Sequence, residues 1–445
     1  MSNAENTLFS FKTDNCDLVF SLSDASASVV SVENIAGNLI DLCIPASVTA
    51  DGRTLPVTEI GARVFRRCDS LRSVSCPSAE VIREAAFSYC RKLESVSFPK
   101  VRTLEKEAFF KCAKLADITI PELSVIGPAA FSGCLMTENT VFPKAVSVSE
   151  FAFSACAGMR SISLPAVTEL KDDAFSECPE LETADIPKIG SIGKEVFYEC
   201  EKLTTVTAPA VTEIGEKAFF RCRSLKKIAF PEVVRFCENA CEECTGLETV
   251  DCPAVTEIQR CAFETCPKLS EMNISPENPV FSADGNGLFE KMNDGSLRLM
   301  IFLGKSAETY TIPPNVPEIY DYAFYECDAL KEISGPGVRK IGNGAFMYCS
   351  GLESVSFPEA VSIGDGSFTE CTSLKSVTFP KAETVGANAF SECPLLEEAA
   401  FPALRAIECY VFFGSRNLKS VTFPKDTFIS ENAFGGCPYD PDKTL

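Results

Sequence analysis

A phenylalanine recurs every 22 residues along most of this chain, and that spacing limits the fold more than any other feature. It falls at Phe65, Phe87, Phe109, Phe131, Phe153, Phe175, Phe197 and Phe219. Cys241 fills the next slot and Phe263 the one after. The series resumes at Phe324, Phe346, Phe368, Phe390, Phe412 and Phe434. Only the step from Phe263 to Phe324 differs: its 61 residues are one repeat plus a 39-residue insertion, so sixteen copies are visible. A fixed period of this length marks a stack of small units, each unable to bury its apolar side alone.

One copy, residues 82–99, shows what the unit contains. Ile82, Ala86, Phe87 and Cys90 stand at i, i+4, i+5 and i+8, the spacing of one face of a short helical segment. Leu93, Val96 and Phe98 follow, with Ser95 and Ser97 between the last two apolar positions. That alternation predicts a short half-buried strand. Pro99 closes it, because a residue without an N–H belongs at a strand end. The copy therefore reads as strand, turn, helical segment and return.

The unit I-x-x-x-AF-x-x-C-x-x-L-x-x-V-x-F-P resembles the BspA-like, Treponema-type leucine-rich repeat family over roughly residues 39–437. Residues 38–65 resemble the entry cap of that family, and residues 278–324 its irregular hairpin unit, with Asn293-Asp294-Gly295 as the turn. The resemblance implies an α/β fold: a right-handed leucine-rich-repeat solenoid of about sixteen coils, with a parallel β-sheet on the concave face, short helical turns on the convex face and one hairpin-like insertion. Four segments are expected: an N-terminal cap over 1–60, ten repeats over 61–274, the insertion over 275–318, and six repeats over 319–445. It also implies a non-enzymatic binding protein, secreted or at a microbial cell surface, engaged in adhesion or host interaction. The alternative is an intracellular scaffold or self-assembling structural protein. The N-terminus, MSNAENTLFSFK, has neither a basic n-region nor an apolar h-region, so it does not read as a signal peptide.

Twenty-three cysteines weigh on that choice. Fifteen occupy the slot three after the Phe, and Ser415 alone breaks the column. Stacked coils would hold equivalent Cβ atoms parallel and too far apart for a disulfide, which favours buried free thiols. So many thiols suit a reducing compartment, in tension with a surface location unless the core seals them. Cys237, Cys241 and Cys244, with Cys252 and Cys261 nearby, hint at zinc, but Cys241 and Cys244 fall on core columns. The segment 282–287, SADGNG, reads as a Gly-rich turn because it lacks the ligand pattern of a calcium loop.

Catalysis has little to work with. The chain has no histidine, so no Ser-His-Asp or Cys-His arrangement can form, and it has no Gly-rich phosphate loop. Acid pairs such as Asp172-Asp173 read as solvated surface. No catalytic residue, metal or other cofactor is expected. A net charge of −21 argues against nucleic acid, and no run of apolar residues is long enough for membrane insertion. The expected partner is a protein or glycan, with self-association open.

Three features depart from the repeat without being demanded by it. The insertion is one. The second is a set of aromatic and apolar residues just after the Phe slot, which neighbouring coils would pair: Tyr89 with Phe110, Tyr198 with Phe220, and Tyr325 with Met347 and Tyr348. These would form an edge for ligand or self-association, or pack against the next turn. The third is charge. Residues 61–114 hold twelve basic and six acidic residues, leaving −27 on the rest of the chain. An acidic partner is expected to meet Arg63, Arg66, Arg67, Arg91 and Lys92. The strand positions flanking the Val, such as Ser95, Ser97, Thr205 and Thr207, are Ser/Thr-rich and suit a soluble sheet better than a strong contact surface.

Overall fold

In the computed structural model each 22-residue copy winds once and lays two short strands beside their equivalents in the next copy. The structure describes residues 7–14, 16–33, 39–136 and 139–439. The chain divides into two compact units, Met1–Cys244 and Thr245–Leu445.

In the first unit, three-residue strands such as Ser73–Ser75, Ser95–Ser97 and Asp117–Thr119 pair in parallel, each residue with the one 22 positions on. Two-residue strands, Val81–Ile82, Thr103–Leu104, Val125–Ile126, Ser147–Val148 and Glu169–Leu170, form a second parallel ladder. Val74 and Val96 are buried between partly exposed serines, as the alternation required. An antiparallel set, Thr7–Lys12, Asp17–Leu22 and Ala27–Glu33, starts the second ladder. Ala27–Glu33 pairs in parallel with Arg53–Ile60, which pairs with Val81–Ile82. The stretch expected as a cap thus begins the stack, although residues 1–6 and 34–38 lie outside the described residues.

The expected helical segments are absent among the described residues, where the same stretch is a run of turns. The reason lies in the backbone. Ala85 and Tyr89 have φ of 53° and 62°, in the left-handed region that interrupts a helix. Their amides point to the next coil: Ala85 N donates to Lys106 O at 2.9 Å, Phe87 N to Ala108 O at 2.9 Å and Tyr89 N to Phe110 O at 2.7 Å. The intervening amides close turns three residues back, as Ser88 N does on Ala85 O at 3.1 Å and Cys90 N on Phe87 O at 3.1 Å. Half of the donors that a helix would use internally therefore bind coil to coil.

The core is a column of phenylalanine rings. Phe87 stacks on Phe65 and on Phe109 at 5.2 Å between centroids, and Phe175 stacks on Phe153 at 5.3 Å. All of these are buried. The coil that has Cys241 in the Phe slot carries Phe236 where its neighbour has Ile214, and both substitutes are fully buried. A volume lost at one position is thus regained at another in the same coil.

The second unit holds a coil that the spacing did not reveal. Gly287–Lys291 and Leu297–Phe302 form the expected antiparallel hairpin around Asn293-Asp294-Gly295. Leu297–Phe302 also pairs in parallel with Glu318–Ile319, so the insertion is a rung of the ladder. Phe302 stands 22 residues before Phe324, is fully buried, and stacks on it at 4.7 Å. The two units hold seventeen turns between them, one more than the repeat count gave. In SADGNG, Asp284 Oδ1 accepts from the amides of Asn286 and Gly287, both at 2.9 Å, which makes it a turn.

Candidate functional site

The left-handed slot two residues after the Phe places Arg67, Tyr89 and Lys111 in successive coils, with φ of 62°, 62° and 55°. Their side chains converge. The Arg67 guanidinium lies 5.6 Å from the centroid of the Tyr89 ring, Arg91 lies 5.9 Å away, and the Lys111 ammonium lies 5.8 Å away. Phe110 meets Tyr89 edge-on at 5.4 Å and also sits under Lys111 at 5.2 Å. Two features read separately in the sequence, the basic run and one aromatic pair, thus lie together in one cluster. Cation–π contacts at an exposed site contribute about 0.5–1 kcal/mol each, enough to orient the side chains.

These cations are also uncompensated. Elsewhere a basic residue commonly meets an acid one coil away: Lys144 with Glu122 at 2.6 Å, Lys202 with Glu180 at 2.7 Å, and Arg221 with Glu199 at 2.8 Å and Glu243 at 2.9 Å. The second unit repeats the pattern in Lys375–Glu353, Lys381–Glu359 and Lys419–Glu397. In the basic coils, Arg83 is held between Glu59 and Glu105, which raise its already high pKa. Arg66, Arg67, Arg91, Lys92 and Lys111 are exposed and have no carboxylate partner among the described residues.

Arg63 belongs to a different class. It pairs with Glu84 at 2.5 Å and is removed from the set of free cations. Arg66 and Lys92 remain free, outside the cluster around Tyr89. Lys111 was counted in the basic run but not singled out, because only the left-handed column brings it beside Tyr89.

The other aromatic pairs form as the 22-residue spacing required. Tyr198 and Phe220 stack at 5.0 Å, with Arg221 over Phe220 at 4.9 Å, but that arginine is committed to two glutamates. Tyr325 and Tyr348 meet edge-on at 5.5 Å, and Met347 beside them is half-buried. Lys217 also lies over Phe220, at 5.9 Å, but it is half-buried, and neither pair gathers several exposed cations as Tyr89 does.

The cysteine column has a local reason. Cys90 Sγ donates to Phe65 O at 3.0 Å, Cys112 to Phe87 O at 3.1 Å, and Cys200 to Phe175 O at 3.1 Å. In the second unit Cys371 and Cys393 repeat the bond to Phe346 and Phe368. The thiol is a small buried donor for the carbonyl of the phenylalanine one coil back. Burial pushes the Cys393 thiol of this column up, to about 12. Cys68 and Cys437, in the first and last coils of the column, are only partly buried. Cys241, Cys244 and Cys252 are buried, Cys237 and Cys261 less so, and no group of His, Cys, Asp and Glu among the described residues is arranged to hold a metal ion. No helix among the described residues is long and apolar enough to cross a membrane.

The BspA type Leucine rich repeat region, in six copies, matches residues 58–182, 124–241, 168–292, 296–404 and 383–440. A leucine-rich repeat protein from Bacteroides ovatus ATCC 8483 is similar in structure, with 24% identity, 95% of this chain and 99% of that one covered, and a TM-score of 0.58. A leucine rich cell surface protein from Faecalibacterium prausnitzii A2-165 is 25% identical, with 97% of this chain and 99% of that one covered and a TM-score of 0.41. No curated protein matches the chain.

Proposed function

The chain belongs to the BspA-type leucine-rich repeat family, and from that premise we propose that it is a non-catalytic binding protein whose contact surface is the basic, aromatic cluster around Tyr89. The partner is an anionic one, presenting carboxylates or sulfates on a protein or glycan. The supporting observation is the set of exposed cations, Arg66, Arg67, Arg91, Lys92 and Lys111, gathered without acids on adjacent coils in a chain that pairs many of its other cations one coil away. Arginines forked over a tyrosine offer directional donors to an anion, and the ring gives an apolar floor. A surface or secreted location, with a role in adhesion or host interaction, is the one that the family suggests for such binding.

The test uses heparin and polyglutamate as probes over a salt series. Arg67→Glu, Arg91→Glu and Lys111→Glu should each weaken binding roughly tenfold or more, the worth of one charge-assisted contact. The triple variant should flatten the salt dependence. Binding indifferent to both salt and the three reversals would remove the cluster from consideration. A second reading, an intracellular scaffold, is favoured by the 23 free cysteines, 17 of them buried. Fractionation of the native host cell separates the two locations. Sedimentation across the same salt series tests whether the anionic partner is a second copy.

A further inference from the structure

The turn hidden in the insertion breaks the thiol column in a way that gives one cysteine a different chemistry. Phe302 occupies the phenylalanine slot, so the position three residues on, a cysteine in most coils, is Lys305. In the regular coils the thiol donates to the phenylalanine carbonyl one coil back, as Cys349 does to Phe324 O at 3.0 Å. At Cys327 the relation is reversed. The Lys305 ammonium donates to Tyr325 O at 3.0 Å and to Cys327 Sγ at 3.4 Å. The nearest acceptor for the thiol itself is Tyr325 O, at 3.9 Å. Lys305 is half-buried and has no carboxylate partner among the described residues. Cys327 is 1% exposed.

A half-buried ammonium without an acid needs a counter-charge, and the sulfur is the group at hand. Lys305 and Tyr325, which both touch Cys327, line a cavity of about 50 Å³ together with Cys266, Phe263 and others, while Cys327 itself lies behind them. The cavity has room for a few water-sized molecules, hydrogen peroxide among them.

We propose that Cys327, held as a thiolate by Lys305, is a peroxide-reactive thiol, approached from this cavity past the Lys305 and Tyr325 that separate the two. The sulfur attacks one oxygen of hydrogen peroxide. An S–O bond forms as the O–O bond breaks, and the departing hydroxide takes the proton of the new S–OH. The products are a sulfenate and water, with sulfur oxidised by two electrons and peroxide reduced by two. Lys305 keeps its proton and faces the sulfenate as it faced the thiolate. Burial alone would push this thiol up, yet the neighbouring Cys349 thiol and the Lys305 ammonium outweigh it and hold it at about 7. That accords with the geometry.

The experiment treats the native full-length chain with limiting hydrogen peroxide, removes the oxidant, then denatures in dimedone and maps the adduct by peptide mass. Cys327 should be oxidised before the exposed Cys43 and Cys409. Its rate should rise as pH passes through about 7. Lys305→Met should slow it about tenfold and move that rise upward, as expected when a thiolate loses its cation. Lys305→Arg should preserve the reaction, which separates loss of charge from loss of fold. Oxidation that starts at Cys43 or Cys409 overturns the proposal. So does a Lys305→Met rate equal to that of the unmodified chain.

Discussion

At Ser415 the column of thiols is interrupted and its hydrogen bond is not: Oγ donates to Phe390 O at 2.9 Å and accepts from Cys393 N at 3.3 Å. What this position requires is a small buried donor, and sulfur is one of two ways to supply it. Ser415→Ala leaves a fully buried carbonyl short of a partner and should cost about 1–3 kcal/mol in urea melts, whereas Ser415→Cys should be near neutral. Equal midpoints for the alanine and cysteine variants would deny the bond any weight. Asp173 shows the opposite case, a residue at odds with its place. In the sequence it read as solvated, but it is half-buried in a left-handed slot with φ of 57°. Burial first, then the charges of Glu195 and Asp172, push its carboxyl up to about 6 from an ordinary 3.8. Between those values the unfolded chain has released the proton and the folded chain still holds it. Stability from this site therefore falls as pH rises from about 4 to about 6 and stays low above. Asp173→Asn keeps a side chain that tolerates positive φ and removes the charge, so it should raise the melting temperature at pH 7 and not at pH 3. An equal shift at both pH values would refute the electrostatic account.

The elements of one coil were only half legible, and the physical reason is specific. Ile82, Ala86, Phe87 and Cys90 suit a helical face, yet the same spacing serves a chain wound as stacked turns. What decides between them is positive φ at Ala85 and Tyr89, and neither residue type advertises it. Glycine does fill the equivalent slots at 344, 366 and 414, where the clue was available. The strands were readable because the Val-Ser alternation has no second meaning. The turn around Phe302 was missed because strand pairing rather than the repeat motif builds it, so only its phenylalanine keeps the 22-residue step. That turn yields a sharp expectation. Phe302→Ala should cost about 3–5 kcal/mol, as much as Phe175→Ala in a regular coil, since both rings are fully buried and stacked. Denaturant melts that leave Phe302→Ala close to the parent would mean that the insertion projects from the stack instead of forming part of it.

Across the whole molecule, charge was countable in the sequence but its pairing was not. The register makes many pairs predictable afterwards, since Lys144 and Glu122, or Lys381 and Glu359, stand 22 residues apart. Arg63 escaped because its partner Glu84 is 21 away, in the neighbouring left-handed turn. The excess of cations over residues 61–114 therefore survives pairing rather than vanishing into it, and like charges gathered on adjacent coils oppose folding. If the cluster is kept for binding, it should be a local burden on stability. Arg91→Glu tests this, because Arg91 has no ion-pair partner among the described residues and its guanidinium faces Tyr89. The reversal should stabilise these coils by a few tenths to about 1 kcal/mol at low ionic strength, the range of exposed charge interactions. The gain should shrink by half a molar salt, where the screening length falls to roughly 4 Å. The same variant should bind heparin or polyglutamate less tightly. Hydrogen exchange resolved to residues 61–114 reads the stability, and the salt series reads its origin. Should Arg91→Glu loosen these coils at low salt, the guanidinium is there to hold Tyr89 in place, and the argument that its charge is kept for an anionic partner fails.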